Sequence, residues 1–143
     1  MSVLAHLVVP VASEADAVAT CEALEPYLDD IERVTAVHVI EKGGGSVDKA
    51  PLEKRREDAA EFLAVVDTRL SNAVAVDDRT AFGTDIVQTI FEEARDAGAT
   101  AVAIRPRGGS RIVRLLTGDT ATRLVTDPDL PVLALPKPPE GEG

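Results

Sequence analysis

Nearly continuous apolar runs alternate with stretches of helical periodicity along this chain, and this alternation restricts its fold more than any other feature. Short runs rich in Val, Ile, Leu and Ala are typical of strands buried on both faces. Five such runs occupy residues 3–11, 34–40, 73–76, 101–104 and 132–135. Strands separated by helices predict a parallel sheet with right-handed crossovers. The predicted fold class is therefore α/β, a three-layer, doubly wound, five-stranded parallel sheet.

Four helices are predicted between these strands. Ser13 is a suitable N-cap for the first helix, whose apolar positions are Val18, Cys21, Leu24 and Leu28. The second helix has the clearest apolar face, formed by Ala59, Phe62, Leu63, Val66 and Leu70. Its solvated start offers an i, i+4 pair between Lys54 and Asp58.

The third and fourth predicted helices are marked by capping residues. Thr84 or Asp85 is expected to cap the third helix, and Gly98 is expected to end it. Gly118 and Asp119 open the short fourth helix. We interpret Asp119 as its N-cap rather than as a catalytic group, because Asp is a preferred capping residue.

The length of 143 residues suits one domain, which we assign to residues 1–136. The tail, 137–143, is rich in Pro and Gly and is predicted to be disordered. No apolar run approaches the roughly 20 residues that a bilayer span requires, and no secretion signal is evident. Cys21 is the only cysteine, so no internal disulfide can form. A reducing, cytoplasmic location is the expectation.

The formal net charge of −10 disfavours partners that are themselves anionic. Nucleic acids and anionic membrane surfaces are therefore not expected as partners. The excess of carboxylates also suggests a halophilic hypothesis, in which concentrated salt screens the self-repulsion of the chain. An ordinary acidic cytosolic protein is the alternative.

An arginine-rich loop follows the fourth predicted strand. It contains Arg105, Arg107, Arg111 and Arg114 within ten residues. Adjacent glycines at 108 and 109 allow backbone amides to approach a ligand, and the loop leads to a helix N-terminus that favours an anion. In doubly wound sheets, ligands bind beyond the carboxyl ends of the strands. Phosphate binding is thus one interpretation, and rim charges or an interface are the other.

The same loop carries a family resemblance. The segment from Ile104 to Leu124, followed by Leu130-Pro-Val-Leu, resembles the end of a universal stress protein, and Val8-Val-Pro-Val resembles the first strand of that family. Nucleotide-binding members wrap phosphates and ribose with Gly-x2-Gly-x9-Gly-Ser/Thr. Gly108 and Gly118 match the second and third glycines, with the nine-residue gap intact. The resemblance implies the adenine-nucleotide alpha hydrolase-like fold over about residues 3–135.

Three positions depart from that family pattern. Arg105 replaces the first glycine, Asp119 replaces the Ser or Thr, and Ala12 stands where an Asp usually follows the first strand. Val39 keeps the apolar residue expected near adenine. The resemblance therefore implies a degenerate nucleotide-binding loop, and we do not expect ATP to bind in the usual way. ATP or another adenine nucleotide is still the candidate cofactor.

The candidate nucleotide- or anion-binding residues are Ala12, Val39, Arg105, Arg107, Gly108, Gly109, Ser110, Gly118, Asp119 and Thr120. In the family the last strand commonly pairs with its equivalent in a second subunit, which makes a homodimer the expected assembly. The implied interface residues are Val132, Leu133, Ala134 and Leu135.

No catalytic or metal-binding residue is assigned. His6 and His38 lie in predicted strands without metal spacing, and each is read as a packed, hydrogen-bonded residue. The expected function is that of a non-enzymatic stress-response or regulatory protein. The alternatives are an adenine-nucleotide switch, a slow ATP hydrolase and a flavodoxin-like flavin protein. The low aromatic content of 3% argues against the flavin protein.

Overall fold

The structure is a computed structural model that describes residues 2–41, 52–105 and 123–136. Within these residues five parallel strands form one sheet in the order β3-β2-β1-β4-β5. The strands are β1 His6–Pro10, β2 Arg33–Glu41, β3 Ala75–Gly83, β4 Ala101–Ile104 and β5 Val132–Ala134. The predicted doubly wound α/β architecture is confirmed. The expectation of a disordered tail concerns residues outside the described ranges.

Helices cover both faces of this sheet. They are α1 Glu14–Leu24, α2 Leu52–Leu70 and α3 Ile86–Ala97, and residues 123–126 are also helical. One core layer lies between the sheet and helices α1 and α2, and includes Leu7, Val9, Cys21 and Leu63. The other lies beneath α3 and residues 123–126, and includes Val8, Val37, Ile90 and Leu124. Alternate residues of β1 thus enter opposite layers, as a strand buried on both faces requires.

The predicted helix boundaries are largely observed. The Ser13 hydroxyl accepts the amide of Asp16 and caps α1, and the Asp85 carboxylate accepts the amide of Gln88 and caps α3. Gly98 ends α3 in the left-handed conformation, with φ of 76°. The Lys54–Asp58 pair on α2 is present at 3.0 Å.

The first helix is shorter than its apolar spacing predicts. The α-helix ends at Leu24, and Leu28 belongs to a 3₁₀ helix at Glu25–Asp30. Pro26 accounts for the change, because a proline lacks the amide that an α-helix needs at this point. Leu28 still packs against the first core layer.

The third strand is longer than the predicted residues 73–76. It runs from Ala75 to Gly83 and pairs with the whole of β2. Its charged residues Asp77, Asp78 and Arg79 lie beyond the predicted run, on a strand at the edge of the sheet, where most side chains are exposed. An edge strand tolerates charge, and charge there discourages pairing with other chains.

Among the described residues, no helix is both long and apolar enough to cross a membrane.

Candidate functional site

The sheet order places a topological switch point between β1 and β4. The chain proceeds from β1 to β2 and β3 on one side, and then returns to the other side for β4 and β5. Ala12 follows the carboxyl end of β1, and Arg105 follows that of β4. Ligands of open α/β sheets bind in the crevice at such a point. The candidate site is therefore the carboxyl edge of the sheet, that is, the side at which the carboxyl ends of the parallel strands lie.

Two of the predicted site residues share one apolar cluster at this edge. Val39 is 5% exposed and belongs to the core layer beneath α3, together with Ile104. Ala12 and Ile86 pack against the same layer. The ends of β1, β2 and β4 therefore share one apolar cluster, in which Ala12 and Ile86 are only partly buried.

Hydrogen bonds fix the backbone where β1 leaves the sheet. The amide of Val11 donates to the Val37 carbonyl at 2.9 Å, and the Val11 carbonyl lies 2.8 Å from His38 Nδ1. The amide of Ala12 donates to Asp16 Oδ2 at 2.8 Å. The segment that leads from β1 into α1 is consequently held by main-chain and side-chain partners together.

Asp16 is a residue of the site that sequence reasoning missed. Its side chain is buried in the first turn of α1, and only 1% of the residue is exposed. A signal was available, because Ser13 and Asp16 have the spacing of a capping box, with Asp in place of the usual Glu or Gln. The carboxylate reaches back to the residue before the N-cap, so this buried acid faces the chain's own backbone.

The first turn of α3 is also capped by a side chain of this protein. Asp85 caps this helix and forms an ion pair with Arg123 Nη2 at 3.0 Å. The hydrogen bond from the Gln88 amide, reinforced by that guanidinium, lowers the pKa of Asp85. The ion pair joins helical residues 123–126 to the start of α3.

Arg105 lies at the exit of β4, and its Nε atom is buried. The other seven candidates fall in residues 106–122, outside the described part of the chain. They are Arg107, Gly108, Gly109, Ser110, Gly118, Asp119 and Thr120.

Both histidines lie in strands and make hydrogen bonds. His38 Nδ1 contacts the Val11 carbonyl, and its ring meets the edge of Phe62 with centroids 5.2 Å apart. His6 Nε2 lies 2.8 Å from Thr35 Oγ1. Burial lowers the pKa of each ring. Across the described ranges, no group of three or more His, Cys, Asp or Glu side chains could hold a metal ion.

Comparison with known proteins gives a consistent result. The model of the universal stress protein family matches residues 4–136. Among curated proteins, none matches this chain significantly in sequence.

Solved structures of universal stress proteins share the fold. One from Burkholderia pseudomallei is 23% identical with a TM-score of 0.72, covering 95% of this chain and 98% of its own. One from Archaeoglobus fulgidus in complex with dAMP is 17% identical with a TM-score of 0.63, covering 94% and 99%. One from Arabidopsis thaliana with AMP bound is 16% identical with a TM-score of 0.63, covering 96% and 94%.

Proposed function

Because the chain belongs to the universal stress protein family, we propose that it is a non-enzymatic regulatory protein of the stress response that works as a homodimer. The observation that carries this proposal is the hydrogen bond from the Ala12 amide to the buried Asp16 carboxylate. This bond uses the Ala12 amide for the chain's own side chain, so the amide at the exit of β1 is not available to a nucleotide phosphate. The departures at Arg105 and Asp119 act in the same direction.

Calorimetric titration with ATP, ADP, AMP and cyclic AMP tests the ligand part of this proposal. We expect no heat of ATP binding at micromolar concentrations. Incubation with magnesium and ATP is expected to release no phosphate above the background, which addresses the enzymatic alternative. Tight ATP binding or steady turnover would contradict the proposal.

Adenine-nucleotide binding is the second candidate function. The apolar cluster containing Val39 and Ala12 favours it, because an adenine ring needs an apolar surface at this edge of the sheet. The solved relatives with dAMP and AMP add support. The same titration separates the candidates, because AMP presents the adenine ring to this cluster without a triphosphate chain. Binding of AMP without ATP would favour this second function.

The two edge strands of the sheet support dimerisation through β5. On β3 the edge carries Asp77, Asp78 and Arg79, whereas on β5 it carries the half-buried Val132 and Leu133. Charged edges resist pairing and apolar edges promote it. We infer that β5 pairs with its equivalent in a second subunit.

The hydrogen bonds between β4 and β5 suggest a selective test. The Val102 amide donates to the Pro131 carbonyl, and the Leu135 amide donates to the Ile104 carbonyl. Alternate residues of a parallel strand bond to opposite sides, so the amide of Ala134 points away from β4. Ala134→Pro therefore removes an outward donor and leaves the ladder to β4 intact.

Light scattering over a range of protein and salt concentrations measures the outcome. The parent chain is expected to be a dimer, and Ala134→Pro is expected to be a folded monomer. Thr80→Pro, on the opposite edge strand β3, is the matched control. The Ala75 amide donates to the Glu32 carbonyl, and because amides alternate in direction along a parallel strand, the Thr80 amide points away from β2. A monomeric parent, or equal effects of both variants, would contradict dimerisation through β5.

A further inference from the structure

His6 lies at the amino end of β1, where three parts of the chain meet. Its Nε2 atom is 2.8 Å from Thr35 Oγ1 on β2, and the backbone of Gly98, at the end of α3, lies near enough to raise the pKa of the ring. The amide of His6 donates to Thr100 Oγ1 at 3.0 Å, and the Thr100 amide donates to the His6 carbonyl at 2.8 Å. His6 thus connects β1, β2 and the turn between α3 and β4.

The ring is accessible to protons from solution. A surface pocket opens beside it at the amino edge of the sheet, opposite the candidate nucleotide crevice, and is lined by Ala5, His6, Glu32, Arg33, Gly98 and Thr100. Thr35, in contrast, is only 1% exposed. A change of protonation at His6 therefore alters the hydrogen bond of a buried hydroxyl, that of Thr35.

The surroundings of His6 favour one neutral tautomer. The Gly98 backbone raises the pKa of the ring as a carbonyl acceptor does, and a carbonyl oxygen only accepts hydrogen bonds, so the favoured tautomer carries its N–H on Nδ1 and leaves Nε2 to accept from the Thr35 hydroxyl. Protonation places a hydrogen on Nε2, and the Thr35 oxygen must then accept instead of donate. Its own hydrogen then loses this acceptor, and among the described residues His6 is the hydrogen-bond partner of the Thr35 hydroxyl. An unsatisfied buried hydroxyl is costly.

The surrounding charges oppose protonation on balance. Arg33, which lines the pocket, and Arg79 on β3 lower the pKa of His6, whereas Asp77 raises it; burial has the largest effect and also lowers the pKa. The arginines are themselves partly neutralised, since Arg33 pairs with Asp77 at 2.7 Å. Arg79 pairs with the α3 carboxylates of Glu93 and Asp96 at 3.0 and 2.9 Å. Glu32 is the remaining charged residue beside the pocket.

We propose that His6 is a proton-operated latch, in which protonation of its ring in acid reverses the hydrogen bond to Thr35 and loosens the amino edge of the sheet. The latch is independent of the nucleotide crevice and of β5. It makes the start of β1 and the turn after α3 sensitive to acidification, while the carboxyl edge keeps its hydrogen bonds.

His38 is an internal control for this latch. Its Nδ1 atom faces the Val11 carbonyl, which accepts from the ring whether it is neutral or protonated. The charged neighbours that act on it are Arg55 and Asp58 of α2. Protonation of His38 therefore reverses no hydrogen bond, although its burial also lowers its pKa.

NMR of the full-length chain tests the proposal. The chain contains two histidines, so two ring titrations are observed and can be assigned with His6→Gln and His38→Gln. We expect the neutral His6 ring to carry its proton on Nδ1 and to titrate below the ordinary value of 6.5. As the pH falls from 7.5 through the pKa of the folded state, amide exchange corrected for the intrinsic rate should show about a tenfold loss of protection for each unit by which folding lowers this pKa. The reporting amides are those of His6, Arg33 and Thr100.

The variants separate the latch from a general effect of acid. In His6→Gln, whose amide still reaches Thr35 but does not titrate, the loss of protection at the amino edge should disappear. In His38→Gln it should persist. An equal loss in both variants, or an Nε2–H tautomer of neutral His6 in the parent chain, would overturn the proposal. If His6→Gln does not fold, the tautomer and the exchange of the parent chain decide the matter.

Discussion

The carboxylate of Asp16 accepts the backbone N–H of Ala12 at 2.8 Å, while the amide of Asp16 is itself bound by Ser13. The two side chains close the start of α1 reciprocally, as in a capping box displaced by one residue. Because Asp16 is almost completely buried, this bond is shielded from water, and the geometry of the exit of β1 depends on it.

Removal of this acceptor is expected to weaken the fold. Asp16→Ala leaves the Ala12 amide without its acceptor and should lower the free energy of unfolding by about 1–3 kcal/mol. Glu14→Gln, at an exposed position of the same first turn, should change it by less than about 0.5 kcal/mol. Urea denaturation followed by circular dichroism measures both. An effect of Asp16→Ala no larger than that of the control would show that the bond is not structural.

Loss of the Ser13 cap is expected to have a smaller effect. Ser13→Ala should lower the free energy of unfolding by about 1 kcal/mol, because the Asp16 amide loses its acceptor at the helix start. Ser71→Ala, at an exposed position outside the helices and strands, is the matched control. The same denaturation measurement applies, and a cost below about 0.3 kcal/mol would indicate that water replaces the cap.

A side chain at position 83 is expected to collide with α3. A Cβ atom added to Gly83 would overlap the side chain of Thr89, whose hydroxyl donates to the Asp85 carbonyl at 2.8 Å. Gly83→Ala should therefore lower the free energy of unfolding by about 1–3 kcal/mol. Combination with Thr89→Ala should recover part of this loss, so that the two changes are not additive.

Gly98→Ala is the control for this cycle. A Cβ atom at Gly98 meets nothing within 4 Å, but the residue has φ of 76°. Its substitution should cost about 1 kcal/mol through backbone strain alone and should combine additively with Thr89→Ala. Additivity at position 83 as well would contradict the predicted collision.

The thiol of Cys21 is expected to be inert in the folded chain. Burial raises its pKa to about 11, and the side chain is inaccessible within the first core layer. The thiolate is the reactive form, so at pH 8 the folded protein should react with Ellman's reagent at least about 100-fold more slowly than in 6 M guanidinium chloride. Rapid reaction in native buffer would show that α1 opens readily.

Salt is expected to stabilise the chain. The formal net charge is −10, and increasing NaCl from 0.01 to 1 M shortens the Debye length from about 30 to about 3 Å. Relief of self-repulsion should exceed the weakening of exposed ion pairs such as Arg33–Asp77, because such pairs contribute little. The melting temperature should rise with salt. A flat or falling melting temperature would contradict the halophilic hypothesis.

Buried patterns were predictable from the sequence, and exposed ones were not. The central strand β1 and the helix α2 could be predicted from the spacing of their apolar residues, because the positions that they bury are apolar. Most of β3 was missed because an edge strand buries few side chains, so Asp77 and Asp78 do not interrupt it. The convergence of Ala12 and Val39 followed from topology, since parallel strands bring their carboxyl ends to one edge. Asp16 was missed because its signal is the capping-box spacing to Ser13 alone, and no periodic pattern distinguishes a buried carboxylate from an exposed one on a helix.

The self-capped starts of α1 and α3 have a thermodynamic consequence for any molecule that docks at the carboxyl edge of the sheet. Ser13 and Asp85 already cap the first turns of both helices. A ligand that binds there therefore loses no binding free energy to the conformational entropy of ordering these two turns. Its association should leave the dichroism of these helices unchanged, and it should raise the melting temperature only through mass action.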